Sequence, residues 1–264
     1  MNHLKEIESM ALFMRRKILD ISYQSSHAAH LGGGLSIVEI MATLYTHILN
    51  FDKVNPYWAE RDRFILSKGH GVLGYYSALL AVGFIDEKKY NTYLTNESDL
   101  IAHPIMNLDI GIESSNGSLG QGLSMAIGVA YTAKKDKDLN YKAYVLLGDG
   151  ECNEGSVWEA VMLAPQLMLD NLIAIVDYNK LQSDMTPSCD IINFGNLAAK
   201  FESFGWDVYD VDGHDIGQLV SAFEAKHADG RPKMIVANTI KGKGISFMEN
   251  NNEWHHNLLT KNKY

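Results

Sequence analysis

Gly148-Asp149-Gly150-Glu151-Cys152-Asn153-Glu154-Gly155 follows an apolar run from Tyr144 to Leu147, and Asp177-Tyr178-Asn179-Lys180-Leu181 follows a second from Leu172 to Val176. Thirty positions separate Asp149 from Asn179. Short apolar, β-branched runs that end in polar, glycine-bearing loops read as strands, so both clusters fall at the carboxyl ends of predicted strands. In an open α/β sheet that edge is where ligands bind. An Asp carboxylate, an Asn amide oxygen and one backbone carbonyl make a hard, oxygen-only half-shell, which suits Mg²⁺ completed by the oxygens of a ligand phosphate. A tight turn at Asp149-Gly150 and a loop at Asn179 would use the same residue types without any metal.

The flanking sequence points to an α/β fold. Ser156-Val157-Trp158-Glu159 has the pattern of a capping box, so a helix is predicted just after the glycine loop, its amino end toward the candidate metal. Strands are predicted near Val208 to Val211 and Met234 to Thr239, flanking a helix capped by Asp215 with Gln218 three residues on. Strand and helix alternate from Tyr144 to Thr239, the signature of a doubly wound parallel sheet with helices on both faces. Upstream, Asp62 to Leu66 reads as a short strand, Gly71 onward as a helix, and glycine-spotted Gly120 to Ala133 as a helix packed closely on the sheet. Leu4, Ile7, Ala11, Met14, Ile18 and Ile21 recur at helical spacing and make one apolar face. A glycine loop, His30-Leu31-Gly32-Gly33-Gly34-Leu35, feeds a second capping box, Ser36-Ile37-Val38-Glu39, which predicts a helix through about Ile48. The polar stretch Asn250 to Tyr264 reads as an irregular loop.

The chain has 264 residues, 46% of them hydrophobic, enough to bury a core; one domain over 1–264 is the simpler reading. A net charge of −9 and no Lys/Arg run argue against nucleic acid. No signal pattern or bilayer-length apolar run is seen. The two cysteines, Cys152 and Cys189, form no CxxC pair, which favours a reduced, cytoplasmic protein without a disulfide framework. Cys152 reads as a small packing residue beside the loop rather than as a nucleophile.

The glycine-Asp-glycine triplet with Asn about thirty residues on resembles the thiamine-diphosphate motif, and its surroundings resemble the amino-terminal, diphosphate-binding (PP-type) domain of the transketolase family. The likeness runs from about His30 to His255. His30 resembles the His of a His-Pro-Gly-Gly motif with Leu31 in place of Pro; His70 lies in Ser67-Lys68-Gly69-His70-Gly71, and His103 in Ala102-His103-Pro104. His255 follows the family-like run Lys241-Gly242-Lys243-Gly244. Gly117-Ser118-Leu119-Gly120-Gln121-Gly122 resembles Gly-Pro-Leu-Gly-Gln-Gly with Ser118 in place of Pro.

The resemblance implies thiamine diphosphate with Mg²⁺, for which Ca²⁺ or Mn²⁺ could substitute. Asp149 and Asn179 would ligate the metal by side chain and Leu181 by its carbonyl. Gly148 and Gly150 would admit the diphosphate, while Gly117, Leu119 and His70 would touch the cofactor. His30, His70, His103 and His255 would handle hydroxyl contacts and proton transfers, a role that suits imidazole near neutral pH. Glu154 would touch the cofactor and reach the subunit boundary. The implied reaction moves a two-carbon ketol unit from a ketose, or ketose phosphate, to an aldose acceptor.

The family glutamate that activates the cofactor's pyrimidine belongs to a separate, more carboxyl-terminal domain, for which no room follows Lys243. The expectation is therefore one half of a split enzyme, active with a pyrimidine-binding partner as an α2β2 assembly. Related thiamine-diphosphate subunits, of the 1-deoxyxylulose-phosphate synthase or 2-oxo acid dehydrogenase α kind, are the nearer rivals, though the histidine set suits a sugar better than an oxo acid. A nicotinamide-binding domain would need a third glycine where Asn153 stands. A non-catalytic scaffold would need neither the metal shell nor the histidines. His3, His27, His47, His214, His227 and His256 carry no assigned role, since a lone loop histidine is usually structural.

Overall fold

The computed structural model describes residues 2–136, 138–182, 192–226 and 230–264; Cys189 and His227 lie outside them. The described sheet has five parallel strands, β1 (Arg63–Leu66), β2 (Ala143–Gly148), β3 (Leu172–Tyr178), β4 (Asp207–Asp212) and β5 (Lys233–Asn238), in the order β1-β2-β3-β5-β4. All six residues of β2 are buried, because helices cover both faces of a parallel sheet. Successive side chains alternate between two cores. Tyr144, Leu146, Ile173, Ile175 and Ile235 pack on one side with α1 (Asn2–Gln24), α2 (Leu31–Leu35), α3 (Val38–Thr43), α4 (Val72–Val82) and α9 (Ile216–Glu224). Val145, Leu147, Ala174, Val176 and Val236 pack on the other with α6 (Gly122–Lys135), α7 (Gly155–Gln166) and α8 (Leu197–Ser203). Between α4 and α6 lie a short helical turn, α5 (Glu87–Tyr90), and a 3-10 turn over Leu108–Ile110.

The strand order explains which helix lies where. Crossovers between parallel strands are right-handed, so successive steps in one direction leave their helices on one face. The path β1 to β2 to β3 to β4 puts α6, α7 and α8 together. The return from β4 to β5 reverses direction and sends α9 to the opposite face. The reversal leaves β3 and β5 as neighbours whose carboxyl ends diverge into different connections.

Several predicted starts differ in the structure. In α1, Ile7, Met14 and Ile18 are fully buried as the periodicity requires, but Leu4 at the frayed end is 37% exposed. His30 to Leu35 is not an open loop, since Leu31–Leu35 makes a buried helical turn. Neither capping box forms. The Ser36 hydroxyl donates instead to Asp177 Oδ2 at 2.7 Å, α3 starts without a side-chain cap, and the chain widens into a π-turn over Leu44–Ile48. The Ser156 hydroxyl donates to the Gly120 carbonyl at 2.9 Å. In both places the hydroxyl is turned toward a tertiary acceptor and away from the local amides it would cap. Asp215 does cap α9, accepting from the Gln218 amide at 3.1 Å.

The carboxyl end of α9 is closed from outside the helix. Lys233, fully buried on β5, donates from Nζ to the carbonyls of Ala222, Phe223 and Ala225 at 2.8, 3.0 and 2.7 Å. A cation there satisfies orphan carbonyls and complements the helix dipole. Lys233→Met should lower stability by about 2–3 kcal/mol, because it strands three buried acceptors. Denaturant unfolding measures this; a loss below about 0.5 kcal/mol would mean water replaces the ammonium.

Candidate functional site

The crossover β2-α7-β3 converts the thirty-residue gap into adjacency. Gly148 pairs with Asp177 in the ladder, and the Asp149 amide donates to the Asp177 carbonyl at 3.2 Å. Asp149 Oδ2 then accepts from the Lys180 amide at 2.6 Å and Oδ1 from the Gly150 amide at 2.8 Å, so the two loops are tied directly. Lys180 takes a left-handed backbone, φ 64°, which turns the chain back on itself. Asn179 Nδ2 donates to Asp177 Oδ2 at 2.9 Å, fixing the amide orientation, and Oδ1 accepts the Leu181 amide at 3.1 Å with a lone pair to spare.

These groups line a cavity of about 350 Å³. His30, His70, His103, His255, Gly117 and Leu119 share it with Gly148, Asp149, Gly150, Glu154, Asn179 and Leu181. Every residue singled out from the sequence therefore meets in one place. A larger hollow of about 1220 Å³ beside α1 is walled mainly by apolar side chains, among them Met10, Phe13, Leu80 and Phe84, and carries none of these groups.

The sequence reading missed the buried charges in and behind the cavity wall. Asp177 ends an otherwise apolar strand with no exposure, and Lys68, equally buried, pairs with its Oδ2. Thr239 donates to the same carboxylate from the end of β5. Burial alone would raise the Asp177 pKa, but the Lys68 charge and the bonds from Lys68, Thr239 and Ser36 hold it below the ordinary carboxylate range. Glu151, 1% exposed, accepts from Ser67, from the Gly120 amide at 2.8 Å and from the Gly148 amide at 3.2 Å. Burial raises its pKa against those bonds. Glu151 thus fastens the loop before α6 to the glycine loop. There Gly120 has φ 82°, and a Cβ would stand 2.7 Å from Glu154 Cβ. Cys152 is buried beside Gly148, its thiol pushed up by that burial and by Glu151 and Asp149, as fits a packing residue. An Asp closing a β-run and a Lys two places before His70 were the available signals.

The imidazoles form a cluster. Ring centroids of His30 lie 5.7 Å from His70, 5.6 Å from His103 and 5.3 Å from His255. His256, unassigned from sequence, packs 4.5 Å from His30 at the exposed side. Burial, then its histidine neighbours, lowers the His30 pKa to about 3; burial, then Lys241 and Lys68, lowers His255 to about 4. His70 and His103 are lowered too, by burial first. Lys241, 2% exposed, is itself lowered to about 8 by burial and then Lys68. It donates to His255 Nδ1 at 2.8 Å, to Asn252 Oδ1 at 2.8 Å and to the Leu181 carbonyl at 3.2 Å.

The wall also holds two groups, Asn153 Oδ1 and Gln182 Nε2, buried without a hydrogen-bond partner among the described residues. An orphan acceptor and an orphan donor in one cavity fit a polar ligand that satisfies both. Among the described residues no cluster of three or more His, Cys, Asp or Glu could hold a metal alone. The Asp149, Asn179 and Leu181 oxygens therefore fit a hard cation only when a ligand supplies the remaining oxygens.

The family description "Transketolase, thiamine diphosphate binding domain" matches residues 9–263. The chain is similar to an apulose-4-phosphate transketolase subunit of Actinobacillus succinogenes, 44% identical over 96% of this chain and 91% of that protein. It is also similar to a 6-deoxy-6-sulfo-D-fructose transketolase subunit of Clostridium sp. (strain MSTE9), 44% identical over 88% of this chain and 84% of that one. Among solved structures, the transketolase of Campylobacter jejuni superposes with a TM-score of 0.89 at 29% identity, covering 100% of this chain and 42% of that chain. The transketolase of Leishmania mexicana gives 0.88 at 29%, covering 97% and 40%. The chain spans about two fifths of those longer enzymes.

The depressed histidines set a pH dependence. With folded values below the ordinary 6.5, the unfolded chain binds more protons as pH falls, so their contribution is complete above about 6.5 and is lost toward about 3 to 4. The melting temperature should fall between pH 7 and pH 5, a window above the ordinary carboxylate range, and His30→Gln should flatten that fall. Thermal melts of both proteins at the two pH values check it; equal slopes would show that His30 titrates normally.

Proposed function

We propose, given that this chain belongs to the transketolase family, that residues 1–264 form one diphosphate-binding unit and serve as the amino-terminal subunit of a split ketol transferase. The observation that carries the reading is the meeting of two features in one cavity: the Asp149, Asn179 and Leu181 oxygens on one wall and four neutral imidazoles on another. Asp149 and Asn179 side chains and the Leu181 carbonyl would hold Mg²⁺, and Gly148 and Gly150 would let the backbone approach a diphosphate. Gly117, Leu119 and His70 would pack against the cofactor. Bound thiamine diphosphate supplies the carbon nucleophile that carries the two-carbon unit.

The protein's part is to orient and to move protons. Held neutral, His30, His70, His103 and His255 can each donate to a sugar hydroxyl and accept a proton near pH 7 without a fixed charge. The Lys241 bond to His255 Nδ1 leaves that ring's proton on Nε2, where it can be donated to a substrate hydroxyl. Glu154, exposed at the lip of the cavity, would meet the partner subunit beside the carboxylate that activates the pyrimidine. The names of the relatives support a partner chain, since they are subunits and this chain covers most of their length. We place the assembly, two copies of each chain, in the cytoplasm with sugar phosphates as substrates. No helix among the described residues is long and apolar enough to cross a membrane.

Asp149→Ala removes the anionic ligand from a hard cation and should weaken thiamine-diphosphate binding at least about tenfold, since carboxylates dominate such sites. Calorimetric titration of the assembled enzyme with Mg²⁺ and cofactor decides it, and unchanged affinity would remove the metal assignment. His30→Ala should leave that affinity near wild type and cut turnover by about 10² to 10⁴, the scale of a lost proton-transfer group. Ketol-transfer assays on the purified single chain, with cofactor and Mg²⁺ in excess, should show no turnover. Robust activity there would dispose of the split-enzyme reading.

A further inference from the structure

Behind the Lys241 turn lies a partly buried polar chain that the reaction itself does not use. The Ile240 amide donates to His214 Nε2 at 2.8 Å. A backbone N–H can only donate, so Nε2 is the acceptor and the ring's proton sits on Nδ1. Nδ1 in turn lies 2.9 Å from Glu39 Oε2, to which it donates. The other Glu39 oxygen pairs with Arg15 Nη2, and Arg15 Nε donates to the Lys243 carbonyl at 3.1 Å. Both ends of the turn, the amide of residue 240 and the carbonyl of residue 243, are thereby held by one network rooted in α1 and α3. Gly244 permits the approach: its φ is 91°, and a Cβ would stand 2.7 Å from Arg15 Nε.

Between the two anchored ends sits Lys241, whose ammonium reaches the opposite way, to the Leu181 carbonyl, Asn252 and His255. We propose that Arg15, Glu39 and His214 are positioning residues, a clamp that sets the Ile240–Lys243 turn so that Lys241 aligns the Leu181 carbonyl and the His255 ring. The geometry of the clamp stands by itself; its consequence for cofactor and substrate rests on the functional reading above. Glu39 shows that the network is under electrostatic load. Burial would raise its pKa, but the bond from His214 and the Arg15 charge bring it below the ordinary value. Neutral His is the side chain suited to the middle place, because one ring must donate to a carboxylate and accept from an amide at a fixed separation. None of the three residues lines the cavity, so none is a catalytic residue.

The test separates positioning from general stability. Reaction of the chain with an amine-acetylating reagent, read by mass spectrometry, should leave Lys241, Lys68 and Lys233 protected in wild type, since all three are buried. In His214→Phe, which keeps the ring but strands the Ile240 amide and the Glu39 carboxylate, Lys241 should react about tenfold faster, while Lys68 and Lys233 stay protected. Equal acceleration of all three would mean general loosening and would overturn the proposal, as would unchanged Lys241. Should His214→Phe not fold, Glu39→Gln, which keeps the shape and loses the charge that holds Arg15, should expose Lys241 in the same selective way.

The consequence is read on the assembled enzyme with Mg²⁺ and thiamine diphosphate. His214→Phe should weaken cofactor binding in the wild-type background and have no further effect in a Lys241→Met background, because the clamp acts through that lysine. Multiplying losses would show that His214 acts by another route and would defeat the relay. If wild type fails to bind the cofactor, the functional reading falls, and the labelling result still decides the clamp.

Discussion

One carboxylate organises the carboxyl edge of this sheet. Asp177 sits at the point where strand order reverses, between β3 and β5, and receives bonds from Ser36, Lys68, Asn179 and Thr239. Those four donors come from the loop before α3, the loop after β1, the turn after β3 and the end of β5. A buried anion with both oxygens hydrogen-bonded and a cation beside it is tolerated, but a buried anion stripped of its cation is very costly. The four segments are therefore obliged to converge. The cavity exists because they do.

The same pairing sets the electrostatics of the site. Lys68 is neutralised on its Asp177 side yet still bears on the imidazoles, and Lys241 adds to it, so His70 and His255 lie well below their ordinary pKa. Burial is the larger cause in each case. The outcome is a pocket whose walls carry buried lysines while its histidines are held toward the neutral form. Separating fixed positive charge from neutral proton carriers within a few ångströms requires the low-polarity packing that the two cores on either face provide.

Rigidity around the site comes from polar bonds between loops more than from the loops' own conformations. Glu151 fastens the glycine loop to the start of α6, Lys241 ties the Leu181 carbonyl to His255, and Asn252 donates to the Gln182 carbonyl. Each tie spans a long sequence separation, so each depends on the sheet having formed first. Asn153 Oδ1 and Gln182 Nε2, which find no partner among the described residues, are the exception.

The amino-acid sequence by itself determined the strands and the parallel α/β class, and its likeness to a family brought out many of the residues that meet in the cavity, though not Lys68, Glu151, Gln182 or Lys241. Strand period, glycine punctuation and the Asp149 to Asn179 spacing are local signals, and the crossover that joins them follows from chain connectivity and handedness. The sequence did not disclose which partner a polar side chain would choose. Ser36 and Ser156 each headed a plausible capping box, and each gave its hydroxyl to a distant oxygen instead. His214 had the look of a loop histidine before a capped helix and proved to accept from the Ile240 amide and to donate to Glu39. Lys68, Asp177 and Glu151 read as ordinary members of quoted motifs. Local competition for hydrogen bonds is settled by burial: once the sheet closes, an unpaired carboxylate in the interior outweighs a terminal helix amide that water can still reach, and only the tertiary structure decides which groups are left inside.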